Sequence, residues 1–178
     1  MTVICAARHA GKAAIAWDSR ITGGGKGTYA RKVFRCGFGW AGLAGGLREI
    51  QLLERAWESL NHADSRLELM HLADVAHKAF SVLPRDQPRE GVADSSLDIE
   101  ILIVTHNGRI WTLDTALAYM AHSQVAAIGV GAQAALGSLY AQRALGVSSP
   151  KALCLNAARA ATRLVEGCGP PIRVREVG

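Results

Sequence analysis

A threonine stands directly behind the initiator methionine. Methionine aminopeptidases accept a small residue in that place, so the expected mature chain begins at Thr2 with a free α-amine beside a hydroxyl. That pair is a nucleophile and its base in one residue. An α-amine with an ordinary pKa of about 8 can take the hydroxyl proton near neutral pH. In a chain that keeps Met1 the same nitrogen is an amide and cannot act as a base. Such chemistry needs a cation to hold the amine neutral, a carboxylate to place the cation, and backbone N–H donors for an oxyanion. Asp18 in Asp18-Ser19-Arg20-Ile21, Lys32 in Arg31-Lys32-Val33, and Gly42 in the segment A-G-L-A-G-G supply one candidate for each role. Each has an ordinary use as well: Asp18 to cap a turn, Lys32 as a surface charge opening a strand, Gly42 for packing. Only their joint occurrence with Thr2 points to chemistry.

Other sources of chemistry are weaker. Cys5, Cys36, Cys154 and Cys168 contain no C-x-x-C pair, and the six histidines include no H-E-x-x-H. Neither a zinc site nor a redox motif is supported, and buried free thiols are expected. No metal and no cofactor is expected. The net charge of +5 comes from 20 Lys and Arg against 15 Asp and Glu, with the arginines scattered along the chain. A bias this weak argues for no nucleic-acid partner. No run approaches the roughly 18 apolar residues of a membrane span, and the N-terminus lacks a signal layout, so no membrane association and a cytoplasmic location are expected.

Those residues must be positioned by elements that the hydrophobic pattern lays out. Thr2 to His9 and Lys12 to Trp17, the latter ending at Asp18, read as a hairpin turning at Ala10-Gly11. Val33 to Cys36 and Phe38 to Leu43 are two further strands, punctuated by glycine. From Gly46 the period lengthens: Ile50, Leu53, Trp57 and Leu60 mark an amphipathic helix, and a second is expected from Arg66 to Val82. Pro84 to Asp98 reads as a long loop, either functional or a mobile surface segment. Ile99 to Thr105 and Arg109 to Leu113 form a hairpin across His106-Asn107-Gly108, where Asn-Gly is expected to supply positive φ angles. A strand at Val125 to Gly129, helices at Gly131 to Leu145 and Pro150 to Val165, and a last strand at Pro171 to Val177 complete the chain. Ser149-Pro150 reads as N-cap and first residue of the second of these helices. With 49% hydrophobic residues in 178, this is the pattern of a single domain over 1–178, without linker or repeat. The element order is that of an α+β fold: two antiparallel sheets with a helical layer on each outer face.

The chain resembles the β-type subunits of proteasomes, and most closely the bacterial HslV peptidase and related bacterial proteasome homologues. The residues that carry the resemblance are T-V-I-C-A-A-R-H-A-G-K-A-A-I-A-W-D-S-R-I-T, R-K-V-F-R, A-G-L-A-G-G, and L-I-V-T-H-N-G-R-I-W followed by A-A-I-G-V-G. In order and spacing these span nearly the whole chain. The resemblance implies a four-layer αββα sandwich, the N-terminal nucleophile hydrolase fold. It makes Thr2 the nucleophile, Asp18 the carboxylate, Lys32 the lysine that tunes the amine, and Gly42 the oxyanion donor. Arg20, Ile21 and Thr22 match the strand edge on which an extended peptide would lie. Trp40 falls where the family shapes the floor of its first specificity pocket, although a core tryptophan would read the same way.

Two departures stand out. Val130, in Ile128-Gly129-Val130-Gly131, occupies the place of a common serine and removes a hydroxyl near the threonine amine. Glu166 and Cys168 lie near where many β subunits place an Asp and a Ser. The resemblance implies a threonine peptidase that hydrolyses peptides and unfolded proteins inside a homo-oligomeric double ring, of six- or sevenfold symmetry, and leaves room for an ATP-driven unfoldase partner. The alternative is a ring-forming homologue with little or no peptidase activity.

Overall fold

The computed structural model describes residues 1–21, 31–37, 39–46, 50–51, 53–54, 99–114 and 118–177. Within them nine strands form two antiparallel sheets. The first has the order β8-β1-β2-β9 and the second the order β3-β4-β5-β6-β7.

The first sheet is built on the N-terminal hairpin of β1 (Ile4–His9) and β2 (Lys12–Asp18). His9 pairs with Lys12, leaving a two-residue turn in which Ala10 and Gly11 both have positive φ, at 47° and 78°. Such a turn matches the twist of the strands it joins. β1 and β2 are apolar along almost their whole length because both faces of this sheet are covered. Val3, Cys5, Ala7, Ala14 and Ala16 point to one side, into a cluster with Leu139, Leu153, Ala157, Ala158 and Ala161. Ile4, Ala6, Ala13, Ile15 and Trp17 point to the other, against Leu102, Val104 and Ile110 of the second sheet. The period of two along each strand thus separates a helix-facing core from a sheet-facing core.

The helix-facing side is covered by α1 (Ala132–Ala144) and α2 (Pro150–Leu164). α2 begins as the sequence indicates: the Ser149 hydroxyl accepts from the Ala152 N–H at 3.3 Å, with Pro150 at the first helical position. β8 (Val125–Ile128) pairs with β1, and β9 (Ile172–Val177) pairs with β2.

The second sheet contains β3 (Val33–Cys36), β4 (Gly39–Gly45), β5 (Ile99–Thr105), β6 (Ile110–Leu113) and β7 (Tyr119–His122). The β5–β6 connection differs from expectation in one respect. Of Asn107 and Gly108 only Gly108 has positive φ, at 74°, and the loop has three residues closed between Thr105 and Arg109. Asn107 instead turns its side-chain carbonyl to the Arg109 N–H. β7 is a strand that the hydrophobic pattern does not show. It lies at the sheet edge, with Tyr119, Met120 and Ala121 exposed, so no alternation marks it.

The expected second helical layer falls largely outside the described residues. Ile50, Gln51, Leu53 and Glu54 are helical, and Ile50 and Leu53 are buried, in agreement with the helix expected from Gly46. The expected helix from Arg66 to Val82 and the Pro84 to Asp98 loop lie outside the described residues.

The inter-sheet core sets an expectation for stability. Ile15 is fully buried between the sheets. Ile15→Ala should lower the unfolding free energy by about 2–5 kcal/mol, read from chemical denaturation midpoints at unchanged slope.

Candidate active site

Thr2 is 5% exposed at the point where the chain enters the central pair of the first sheet, one residue before Val3 and two before β1. Two groups fix its backbone. Its carbonyl accepts from the Gly131 N–H at 3.1 Å, at the start of α1. The following residue is held on the other side, where the Val3 N–H donates to Asp18 Oδ1 at 2.9 Å and the Val3 carbonyl accepts from the Asp18 N–H at 3.1 Å.

Asp18 is the last residue of β2, and its side chain is completely buried. A buried carboxylate needs donors on both oxygens. Besides Val3, Oδ1 accepts from Lys32 Nζ at 2.9 Å, while Oδ2 accepts from the Gly169 N–H at 3.2 Å. Lys32 is 3% exposed and lies just before β3, where its carbonyl accepts from the Leu43 N–H at 2.8 Å. Its ammonium makes a second bond, 3.2 Å long, to the Met1 carbonyl oxygen. That oxygen is two covalent bonds from the Thr2 nitrogen. The lysine head therefore lies beside the atom that becomes the α-amine once Met1 is removed. Burial lowers the Lys32 pKa from its ordinary value, with the Asp18 carboxylate acting in the opposite direction.

A cavity of about 490 Å³ opens over this point, lined by Met1, Thr2, Ala44, Gly45, Glu100 and Val130, among others. Gly129, also in its wall, has φ of +82°, and a Cβ there would collide with the Thr2 carbonyl. Only glycine allows the turn to approach Thr2 this closely.

Thr2, Asp18 and Lys32 are thus brought together. The other predicted positions distribute differently. Gly42 is interior to β4, between Val33 and Leu102, and a Cβ on it would come 2.7 Å from the Ile4 side chain. It serves close contact between the sheets and does not line the cavity. Gly45, three residues further at the end of the same strand, does line it. The A-G-L-A-G-G segment offers three glycines, and the spacing alone does not say which reaches Thr2. Trp40 is likewise displaced from its expected place at a pocket floor. It is half-buried against the inter-sheet core near the opposite end of β4, with the Arg175 guanidinium 5.8 Å from its ring centroid. Arg20 is exposed and lies against Gly169, Ile21 is half-buried, and Thr22 lies outside the described residues. The Ser19 hydroxyl is buried without a hydrogen-bond partner among the described residues.

Of the two departures near the C-terminal helix, Glu166 is exposed whereas Cys168 is buried beside the ion pair. Burial, followed by the nearby Asp18 carboxylate, pushes the Cys168 thiol up to about 11. It is a neutral, weakly nucleophilic thiol at physiological pH. Val130 is 53% exposed on the cavity rim. Glu100, a cavity residue outside the sequence expectations, is marked in the sequence as the one charge in the apolar strand I-E-I-L-I-V-T.

No protein-family model and no curated protein sequence matches the chain. Solved structures do. The bacterial proteasome homologue BPH of Thiobacillus denitrificans is 22% identical, with a TM-score of 0.81 over 99% of this chain and 97% of that one. The same protein in complex with epoxomicin matches with a TM-score of 0.82 and 21% identity, over 99% and 98% of the two chains. The eukaryotic HslV of Trypanosoma brucei is 18% identical, with a TM-score of 0.72 over 99% of each chain. Anbu, an ancestral β-subunit from Yersinia bercovieri, is 16% identical, with a TM-score of 0.73 over 98% of this chain and 81% of that one. At such identities the likeness is one of fold: the chain has the αββα sandwich of the proteasome β-type and HslV-like proteins.

Two expectations follow from the buried pair. Asp18→Ala leaves Lys32 buried and unpaired, and should cost about 3–5 kcal/mol of stability, read by thermal or urea unfolding. Cys168 adds a pH dependence. Folding raises its pKa from 9.0 to about 11, so its stabilising contribution is complete below pH 9 and is lost as pH rises through 11. Between pH 8.5 and 10.5 the wild type should lose more stability than Cys168→Ala, measured as the difference in denaturation midpoints.

Proposed function

We propose that this chain is a threonine-type endopeptidase acting as an N-terminal nucleophile hydrolase. The observation that carries the reading is the buried Lys32–Asp18 pair, whose ammonium reaches the Met1–Thr2 peptide link at 3.2 Å. A lysine and an aspartate buried at the chain terminus are costly unless they are used. Here they set a positive charge on the Met1 carbonyl oxygen, two bonds from the Thr2 nitrogen.

With Met1 removed, the Lys32 cation disfavours protonation of the Thr2 α-amine and keeps it a base near neutral pH. The Thr2 Oγ attacks the scissile carbonyl carbon while its own amine accepts the hydroxyl proton. The oxyanion role expected of Gly42 is given to the backbone N–H of Gly45, which lines the cavity. The amine returns the proton to the leaving nitrogen as the C–N bond breaks. Water, deprotonated by the same amine, then hydrolyses the ester on Thr2 and restores the hydroxyl. Asp18 positions Lys32. Arg20 and Ile21 follow β2 and supply the edge on which an extended peptide adds as a strand, a role that the family resemblance also gives to Thr22.

The likeness to BPH and HslV supports assembly into a homo-oligomeric double ring of six- or sevenfold symmetry, with peptides and unfolded proteins as substrates, in the cytoplasm. An ATP-driven unfoldase partner belongs to the same reading. None of the described helices is long and apolar enough to cross a membrane.

One observation favours a second reading, a ring-forming homologue with little or no activity. Val130 presents a branched apolar side chain on the cavity rim where a hydroxyl would assist the amine. The intact mass before and after treatment with a peptide epoxyketone separates the two, because that reagent closes its ring on both the α-amine and the adjacent hydroxyl. The expected result is loss of Met1 and one adduct per chain, absent in Thr2→Ala. A chain that has lost Met1 and forms no adduct points to the inactive ring.

A further inference from the structure

The cavity over Thr2 contains one charged side chain that the reaction described above does not use. Glu100 belongs to β5 of the second sheet, and its Oε2 accepts from the Gly129 N–H at 2.6 Å, in the turn between β8 and α1 of the first. This bond crosses from one sheet to the other at the nucleophile. The Gly129 turn leads directly to Gly131, which holds the Thr2 carbonyl. One carboxylate oxygen is thereby fixed, and the other has no hydrogen-bond partner among the described residues.

The surroundings of that oxygen define what it can receive. No cationic side chain lines the cavity among the described residues, although the chain as a whole carries a net charge of +5. The Lys32 charge is spent on Asp18 and on the terminal peptide link. Val130 is the exposed apolar side chain of the cavity wall, Ala44 adds a methyl group, and Gly45 and Gly129 have no side chain. An apolar wall leading to a half-buried carboxylate fits an amphipathic group with an aliphatic stem and a cationic head. Lysine and arginine side chains have that form, and either can give the carboxylate a charge-assisted hydrogen bond. An acidic side chain would face unscreened repulsion. A neutral apolar one would leave the carboxylate desolvated and unpaired.

We propose that Glu100 is a specificity-determining residue that selects peptides carrying a lysine or arginine next to the scissile bond. The inference rests on the peptidase reading and adds to it a substrate class.

Two measurements test this, using Glu100→Gln, whose side-chain carbonyl can still accept from the Gly129 N–H. In the first, wild-type and Glu100→Gln proteins are compared on internally quenched peptides that differ only in having Arg, Gln or Glu on either side of the scissile bond. The wild type should prefer Arg at one of the two positions, and the Arg-to-Gln ratio of kcat/KM should fall about tenfold in the variant. In the second, a fluorescent Arg-bearing peptide is titrated onto Thr2→Ala and onto Thr2→Ala with Glu100→Gln. Binding should weaken by a similar factor at low salt, which needs no catalysis. Wild-type cleavage without a basic preference, or equal binding to the two proteins, overturns the role given to Glu100. So does a variant whose only change is a shifted acid limb of the pH profile, which would mean that Glu100 acts on the Thr2 amine. Salt-sensitive binding lost in Glu100→Gln, together with no cleavage of any peptide by the wild type, would support the Glu100 site and overturn the peptidase reading instead.

Discussion

A lysine and an aspartate, each nearly inaccessible to solvent, sit at the junction of every element around the chain terminus. Taking both charges out of water costs several kcal/mol per ion unless geometry and additional hydrogen bonds offset it. Here the offset is complete on the Asp18 side: Lys32 and the Val3 N–H on one oxygen, the Gly169 N–H on the other. These bonds gather the end of β2, the entry to β3, the start of β1 and the segment following α2 into one place. The Met1–Thr2 link is drawn in by the remaining bond of the lysine. The fold around the site is thus organised by the need to satisfy one buried ion pair.

That arrangement is possible because the central hairpin lies between two covers. On the helix side its residues are small: Cys5, Ala7, Ala14 and Ala16 allow α2 to approach closely, with Ala157, Ala158 and Ala161 answering from the helix. On the other side, larger groups such as Ile4, Ile15 and Trp17 fill the space between the sheets. Asp18 ends the strand that carries both patterns, so its carboxylate enters a region already closed to water. The same closure raises the pKa of Cys168 and lowers that of Lys32, two opposite shifts with a common first cause, loss of hydration of the charged form.

The turn after β8 completes the site from the first sheet, and Glu100 ties it to the second. Here several distant segments meet: β5, the end of β4 and the turn before α1. A cavity assembled in this way takes its shape from the packing of the two sheets. Its glycines are needed where backbone meets backbone, most plainly at Gly129 against Thr2.

Much of this was legible in the residues. The alternation in β1 and β2, the Ala10-Gly11 turn and the Ser149-Pro150 start of α2 follow from local periodicity and turn chemistry, which act within a few residues, whereas the grouping of Thr2, Asp18 and Lys32 was implied by their joint occurrence and the family resemblance. Other features were decided only by tertiary contacts. β7 is a strand because the edge of β6 offers it hydrogen bonds, and its exposed side chains give no pattern to read. Gly45 rather than Gly42 lines the cavity because Gly45 ends β4 beside Ile99, whereas Gly42 lies mid-strand against Ile4. Trp40 is placed by its contact with the inter-sheet core, and Glu100 by a bond to a residue 29 positions away. The sequence by itself determined the strands and helices named above and the chemistry available at the terminus, because those depend on neighbours along the chain. Which glycine and which carboxylate line the cavity over Thr2, and where Trp40 packs, depended on how two sheets stack, and that is set by distances in space that no local pattern encodes.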